Sequence, residues 1–492
     1  MLFNSLDFVF FFLTVIPLYF LLPYRYRILM LLIASCYFYM FFVPIYIVIL
    51  FSTIVIDYFA GILIEKSQGH KRKAWLVMSL VANIGILCYF KYFNFLNENL
   101  TILLQSFGKI NTIPNLAILL PIGLSFHTFQ AMSYTIEVYR GNQKSERNFI
   151  TYALYVMFFP QLVAGPIERP QNLLHQFKEK HNFDYLRVAS GLKLMAWGLF
   201  KKVVIADRLS PMVDYVYSNP LHYTGLPLIL STLFFSVQIY CDFSGYSDIA
   251  IGAARIMGFD LMKNFNRPYA SRSIPEFWRR WHISLSTWFK DYLYIPLGGN
   301  RVSRGRVYLN LLFVFLISGL WHGASWNFII WGGIHGVLLI IYMFAAALFK
   351  GRVESENGVL KIVKNTFSIV LVFFLTSLAW IFFRAKTFEE ASYILFHWNR
   401  GVTGQINILK LHNPEDLKSL LYLGADGRNF IIALASIVFL FLMEYIQAKF
   451  AFSKRISIAT PVIRYTTYAA LLLLILYFGV FDKTLQFIYF QF

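Results

Sequence analysis

Residues 325–349 read SWNFIIWGGIHGVLLIIYMFAAALF, a run of membrane-crossing length that contains no Asp, Glu, Lys or Arg. A helix rises 1.5 Å per residue, so such a run spans a hydrocarbon layer about 30 Å thick. Working outward, comparable apolar runs stand at 6–22, 28–42, 44–64, 74–96, 115–138, 148–165, 187–205, 225–258, 307–320, 362–383, 429–447 and 463–481. The pattern predicts an all-α, polytopic membrane helix bundle of about 11–13 segments. Runs 115–138 and 225–258 carry Pro, Gly, Ser, Gln, Asp and His at membrane depth, and broken or re-entrant helices are expected there. The run at 6–22 has no basic region before it and no small-residue cleavage site after it, so it reads as a retained first helix.

Composition agrees. Of 492 residues 58% are hydrophobic, 19% aromatic and only 14% charged, with a mean hydropathy of +0.58. A soluble surface of this size needs far more charge. The net charge of +19 sits in short loops between apolar runs, as cytoplasmic loops of membrane proteins do, and this argues against nucleic acid as a partner. Arg25, Arg27 and the run Lys66 to Lys73 are placed on the cytoplasmic side, with the N-terminus outside. Cys36, Cys88 and Cys241 show no paired spacing, which supports neither a disulfide frame nor a metal site.

One polar stretch differs from the rest. Residues 263–306 hold nine Lys and Arg against Glu276 and Asp291, interleaved with Trp, Tyr, Phe and Pro. It reads as a structured basic and aromatic segment at the cytoplasmic interface, partly re-entrant, within a single membrane-embedded domain over 1–492. Its cations suit the phosphates of coenzyme A or of a carrier arm, though such clusters more often face the anionic heads of membrane lipid. A second polar insert, about 384–428, reads as a loop or interfacial helix.

Ionisable groups at membrane depth are costly and are functional candidates by default. Of ten histidines, His322 stands out in Ser318-Gly319-Leu320-Trp321-His322-Gly323-Ala324-Ser325-Trp326, where the glycines are expected to leave room for a substrate chain. It reads either as a general base toward an acceptor hydroxyl or as a neutral histidine hydrogen-bonded in a bundle. His282 follows Trp278-Arg279-Arg280-Trp281. It reads either as a second site histidine that orients substrate or polarises a carbonyl, or as part of an interfacial belt. His127 and His335 read as packing residues, and Asp242 and Asp248 as helix-to-helix hydrogen-bonding carboxylates. No nucleophile elbow, phosphate-binding loop or dinucleotide fingerprint is present.

These residues resemble the membrane-bound O-acyltransferases, and within them the bacterial branch of alginate O-acetyltransferase membrane subunits. The resemblance is carried by Tyr240 to Asp248, Asn264 to Tyr269, Phe277 to Ser286, Asp291 to Arg301 and Gly319 to Trp326. Phe90 to Phe95, Leu120 to Gly141, Phe159 to Pro166, Phe382 to Ala385 and Tyr489 to Phe492 are weaker echoes. Cys241 stands where the branch more often has Phe.

The resemblance implies a bundle around a funnel or tunnel, with His322 and His282 catalytic. It implies a donor or substrate surface at Arg279, Arg280, Trp281, Lys290, Asn300, Arg301 and Trp321. It implies acetyl-CoA as a donor substrate, with no cofactor bound permanently, and a place in the inner membrane of a bacterium. The expected acceptor is a cell-envelope or exported polysaccharide, with an extracytoplasmic partner of the serine-esterase type. D-alanyl or other acyl transfer, a polysaccharide exporter and a non-enzymatic scaffold are the competing readings.

Overall fold

A computed structural model gives the structure of the protein and describes residues 1–117, 120–348, 358–450, 455–456, 460–481 and 487–488. Helix is the regular structure among the described residues, with no strand. That is what hydrocarbon demands, since every backbone N–H and C=O must be satisfied within its own segment. Eight helices among those residues are long and apolar enough to cross a membrane: Tyr46–Lys66, Gly69–Ser106, Leu226–Met257, Arg304–His322, Trp326–Leu348, Gly358–Arg384, Gly427–Phe450 and Pro461–Phe478. The protein is a polytopic helical membrane protein.

Eight falls short of the 11–13 expected segments because several apolar runs form shorter or interrupted helices. Leu6–Leu21 and Tyr24–Met40 have 16 and 17 residues. Run 148–165 yields only the 9-residue Phe149–Met157 and one further turn. In 187–205 the helix Tyr185–Leu199 passes into a wider π-helical stretch, Phe200–Ala206. Run 115–138 is broken as expected: its helix begins only at Leu124, after Gly123 at φ 77°, a conformation that glycine adopts without a side-chain clash.

The run 225–258 corrects its expectation. It is one continuous 32-residue helix, Leu226–Met257, buried along most of its length. Its polar side chains find partners on other helices, leaving the backbone ladder intact. Thr232 meets the Tyr217 hydroxyl at 3.1 Å, Ser236 donates to Ser377 at 3.0 Å, and the Tyr240 hydroxyl donates to Glu444.

The chain divides into two compact units. The first comprises residues 1–195 and 247–263. Arg27, expected as a loop cation, is buried there and donates to the Leu22, Phe20 and His181 carbonyls. Asp57, fully buried on Tyr46–Lys66, accepts from Ser79 Oγ at 2.6 Å and Asn83 Nδ2 at 2.9 Å. A buried carboxylate is tolerated only with such donors. His127 packs its ring edge-on to Tyr39, the centroids 6.2 Å apart. The second unit comprises residues 196–246 and 264–491 and holds the candidate site residues.

Candidate active site

In the second unit, Arg304–His322 and Trp326–Leu348 pack as an antiparallel pair. A Cβ on Gly319 would lie 2.1 Å from the Phe328 carbonyl oxygen, one on Gly332 would lie 2.1 Å from the Phe315 carbonyl, and one on Gly323 would strike the Phe328 ring. The glycines beside His322 therefore serve close helix contact, in place of the expected room for a substrate chain. The contact fixes His322 as the last residue of its helix, 4% exposed. Its ring meets Trp321 and Trp331 with centroids 5.0 Å away and Phe383 at 5.5 Å.

His282 arrives on irregular backbone. The segment closes on itself where Asn266 N–H donates to the Arg280 carbonyl and Ile283 N–H to the Asn264 carbonyl, both at 2.9 Å. Arg267 (φ 50°) and His282 (φ 41°) sit in the left-handed region, which costs non-glycine residues energy and recurs at functional sites. His282 is 1% exposed, and its ring centroid lies 6.4 Å from that of His322. Two histidines 40 residues apart in sequence thus meet in one place.

The network around His282 fixes its tautomer. Ser284 N–H (3.3 Å) and Ser284 Oγ (2.9 Å) donate to Asn264 Oδ1, and a backbone N–H can only donate, so that atom is the amide oxygen. His282 Nδ1 lies 3.2 Å from the same oxygen and must carry the ring hydrogen. Nε2 is then an acceptor. A neutral His282 ring with its hydrogen on Nδ1 accepts at Nε2 and does not donate there.

A better donor was missed from the sequence. Trp331 is fully buried, its ring 5.0 Å from His322 and stacked on Trp380 at 5.5 Å, and its indole Nε1–H has no acceptor among the described residues. A buried donor held without an acceptor is what a developing oxyanion needs. Nothing in Trp331-Gly332-Gly333 distinguishes this tryptophan from its neighbours until the helices pack. His335, one turn further along, lies in an aromatic box of Trp278, Trp331 and Phe277, with neither ring nitrogen hydrogen-bonded among the described residues.

The other expected residues divide into three groups. Trp321 joins the pair, 6.3 Å from the His282 ring. Trp281 is core, packed on Trp380 at 4.9 Å and Phe277 at 5.6 Å. Arg280 is half-buried and tied to Glu276 at 2.6 Å. Arg279, Lys290, Asn300 and Arg301 are exposed, with Lys290 3.6 Å from Asp291 and the Asn300 oxygen accepting from the Tyr294 hydroxyl at 2.6 Å. Asp242 belongs to a buried ion cluster beside the site: Lys202 lies 2.7 Å from Asp242 and 2.8 Å from Asp207, and Asp242 Oδ2 accepts from Ile488 N–H at 2.7 Å. Phe243, the next residue, packs on the His282 ring at 4.6 Å.

Comparison with known proteins bears on this geometry. The profile of the membrane-bound O-acyltransferase family matches residues 78–385. The chain is 42% identical over 395 residues to a protein named a probable alginate O-acetylase in Azotobacter vinelandii, covering 80% of this chain and 76% of that one. It is also 42% identical to its namesake in Pseudomonas aeruginosa, covering 80% and 73%. With the peptidoglycan O-acetyltransferase of Helicobacter pylori it shares 37% identity over 423 residues, covering 80% and 77%.

Proposed function

From the premise that the chain belongs to the membrane-bound O-acyltransferase family and is an O-acyltransferase, we propose that it moves acetyl from acetyl-CoA to hydroxyls of an extracytoplasmic polysaccharide. Acetyl passes directly or through the serine of an extracytoplasmic esterase-like partner, and the protein works in the inner membrane of a bacterium. The relatives named for alginate and peptidoglycan acetylation support an envelope or exported glycan as acceptor. The meeting of His282 and His322 at 6.4 Å, both buried beside an indole N–H donor, carries the reading.

In this mechanism the acceptor hydroxyl oxygen attacks the thioester carbonyl carbon as His322 takes its proton. The carbonyl electron pair moves onto oxygen, where Trp331 Nε1–H meets the charge. Collapse breaks the C–S bond, and the His322 imidazolium returns its proton to sulfur, leaving an acetyl ester and free thiol. His282, through Nε2, accepts a hydrogen bond from a second hydroxyl of the acceptor, beside the attacking one, and so orients it. The exposed cations Arg279, Lys290 and Arg301 face the phosphates of the donor.

The test is acetyl transfer from labelled acetyl-CoA in membranes holding the wild type or His322→Ala at matched, folded levels, with native acceptor and partner present. Loss of a positioned base costs about 10²- to 10⁴-fold. Undiminished transfer by the variant removes His322 from the mechanism.

A further inference from the structure

Apart from the paired histidines, the second unit holds a cavity of about 790 Å³, in the range of small-molecule sites. Three stretches far apart in sequence build its wall: the start of the helix Asp207–Tyr217, residues 414–429, and Gly479–Val480. On its floor Arg208 is 8% exposed and donates to the Phe478 carbonyl at 2.5 Å and to Asn429 Oδ1. Its Nε–H is buried and has no acceptor among the described residues. At the other side Asp426 accepts from Asn429 N–H at 2.7 Å and Asn429 Nδ2 at 2.8 Å. Tyr422 supplies a ring braced on Phe430 at 5.1 Å, and Lys418 stands exposed at the edge.

Guanidinium, carboxylate, amide and phenol around one concavity match the paired donors and acceptors of vicinal hydroxyls, with an aromatic face for the C–H side of a ring. Two cations and two carboxylates line the cavity, so it has no excess charge for a phosphate group.

Its place in the membrane follows from counting spans. From the basic segment ending at Arg306, Arg304–His322, Trp326–Leu348 and Gly358–Arg384 carry the chain across three times. Residues 385–426 therefore emerge on the face opposite the basic segment. Gly427–Phe450 and Pro461–Phe478 return residues 479–480 to that same face. With Arg301, Arg304 and Arg306 at the cytoplasmic start of the helix Arg304–His322, and the basic segment re-entering the bundle to bring His282 beside His322 at that helix's far end, the cavity opens outside. It is also linked to the histidines, through Asp207 to Lys202 at 2.8 Å, Lys202 to Asp242 at 2.7 Å, and Phe243 to His282 at 4.6 Å.

We propose that this extracytoplasmic cavity, with Arg208, Tyr422, Asp426 and Asn429 as its contacts, seats a hydroxyl-rich glycan segment and presents the acceptor for acylation. The assignment rests on the acetyltransferase reading above.

The experiment replaces the host's own copy with the full-length wild type, the double variant Tyr422→Ala with Asp426→Ala, or Tyr422→Phe, all at equal membrane levels. Two quantities are read: base-labile acetate on the envelope glycan, and thiol release from acetyl-CoA in isolated membranes without added acceptor. Losing two such contacts lowers glycan acetate about tenfold, while acceptor-independent thiol release stays unchanged and Tyr422→Phe retains most acetate. Wild-type acetate on the double variant overturns the cavity assignment alone. A wild type that neither releases thiol nor acetylates overturns the acetyltransferase reading and this one with it. If the double variant loses acetate together with an extracytoplasmic polypeptide that co-purifies with the wild type, the cavity docks a protein and the glycan assignment falls. Binding of N-acetylglucosamine and uronate tetramers to the purified wild type, read as a melting-temperature shift, distinguishes neutral from anionic glycans. Binding of neither overturns the proposal.

Discussion

Two polar regions interrupt the apolar spans of the second unit, and they are built on opposite principles. The stretch 263–306 sets nine cations against two acids and binds its irregular backbone into an aromatic core through Trp281, Phe277 and Tyr269. The stretch 385–426 sets four cations against five acids and folds into short helices, one of them opened by the capping box of Thr387 and Glu390. Both are polar, but only the first carries a charge that an anionic donor can find from a distance. In the function proposed above, the donor falls to the first region, the acceptor to the second, and the chemistry to the histidines between helices. Kinetics then separate into donor KM, acceptor KM and kcat.

The sharpest test of that division is Trp331→Phe, which keeps an aromatic ring in the box and deletes the pyrrole half of the indole with its N–H. It lowers kcat about 10²- to 10³-fold with both KM values near wild type, as for removal of one oxyanion donor. An unchanged kcat takes Trp331 out of the reaction. Asn264→Ala releases His282 from its fixed tautomer, and kcat falls about 10- to 100-fold, as when the orienting partner of a metal-bound histidine is lost. Preserved kcat leaves the tautomer argument without force. The double variant Arg279→Gln with Lys290→Gln raises the acetyl-CoA KM about fivefold at low salt, an effect that fades as ionic strength rises. Lys418→Gln leaves that KM alone. A rise in donor KM from Lys418→Gln, or in acceptor KM from the Arg279 and Lys290 pair, breaks the comparison outright.

The smallest effect lies outside both regions. Glu168, fully buried, accepts from Met262 N–H, and desolvation pushes its carboxyl up to about 7. An acid whose folded pKa is raised contributes full stability below the unfolded value, near 4.5, and loses it as pH climbs through about 7. The purified wild type therefore melts lower at pH 8 than at pH 5.5, and Glu168→Gln, which keeps an acceptor oxygen, flattens that slope. An equal slope in the variant assigns the pH dependence to other groups.

Much of this protein was legible in its residues alone. Apolar run lengths carried the membrane class and helical fold, because hydrocarbon admits few backbone solutions. The Gly- and Trp-rich setting of His322 and the motif resemblance carried the family and the candidate histidines. Side-chain partners were not legible. Run 225–258 looked broken because Asp242 and its neighbours are polar, and only packing showed Lys202 and the Ile488 N–H meeting that charge. Arg280 reads from sequence as a ligand contact, and only packing showed Glu276 against it.

What the sequence by itself determined is that the chain is a helical membrane protein and which residue types are available for acyl transfer, since both depend on local composition. Only the tertiary structure decided that His282 and His322 lie 6.4 Å apart, that Asn264 holds the hydrogen on His282 Nδ1, and that Trp331 brings an unmet N–H beside them. Hydrogen bonds and ring contacts act over a few ångströms between residues tens to hundreds apart in sequence, and only the packed helices bring them within that range.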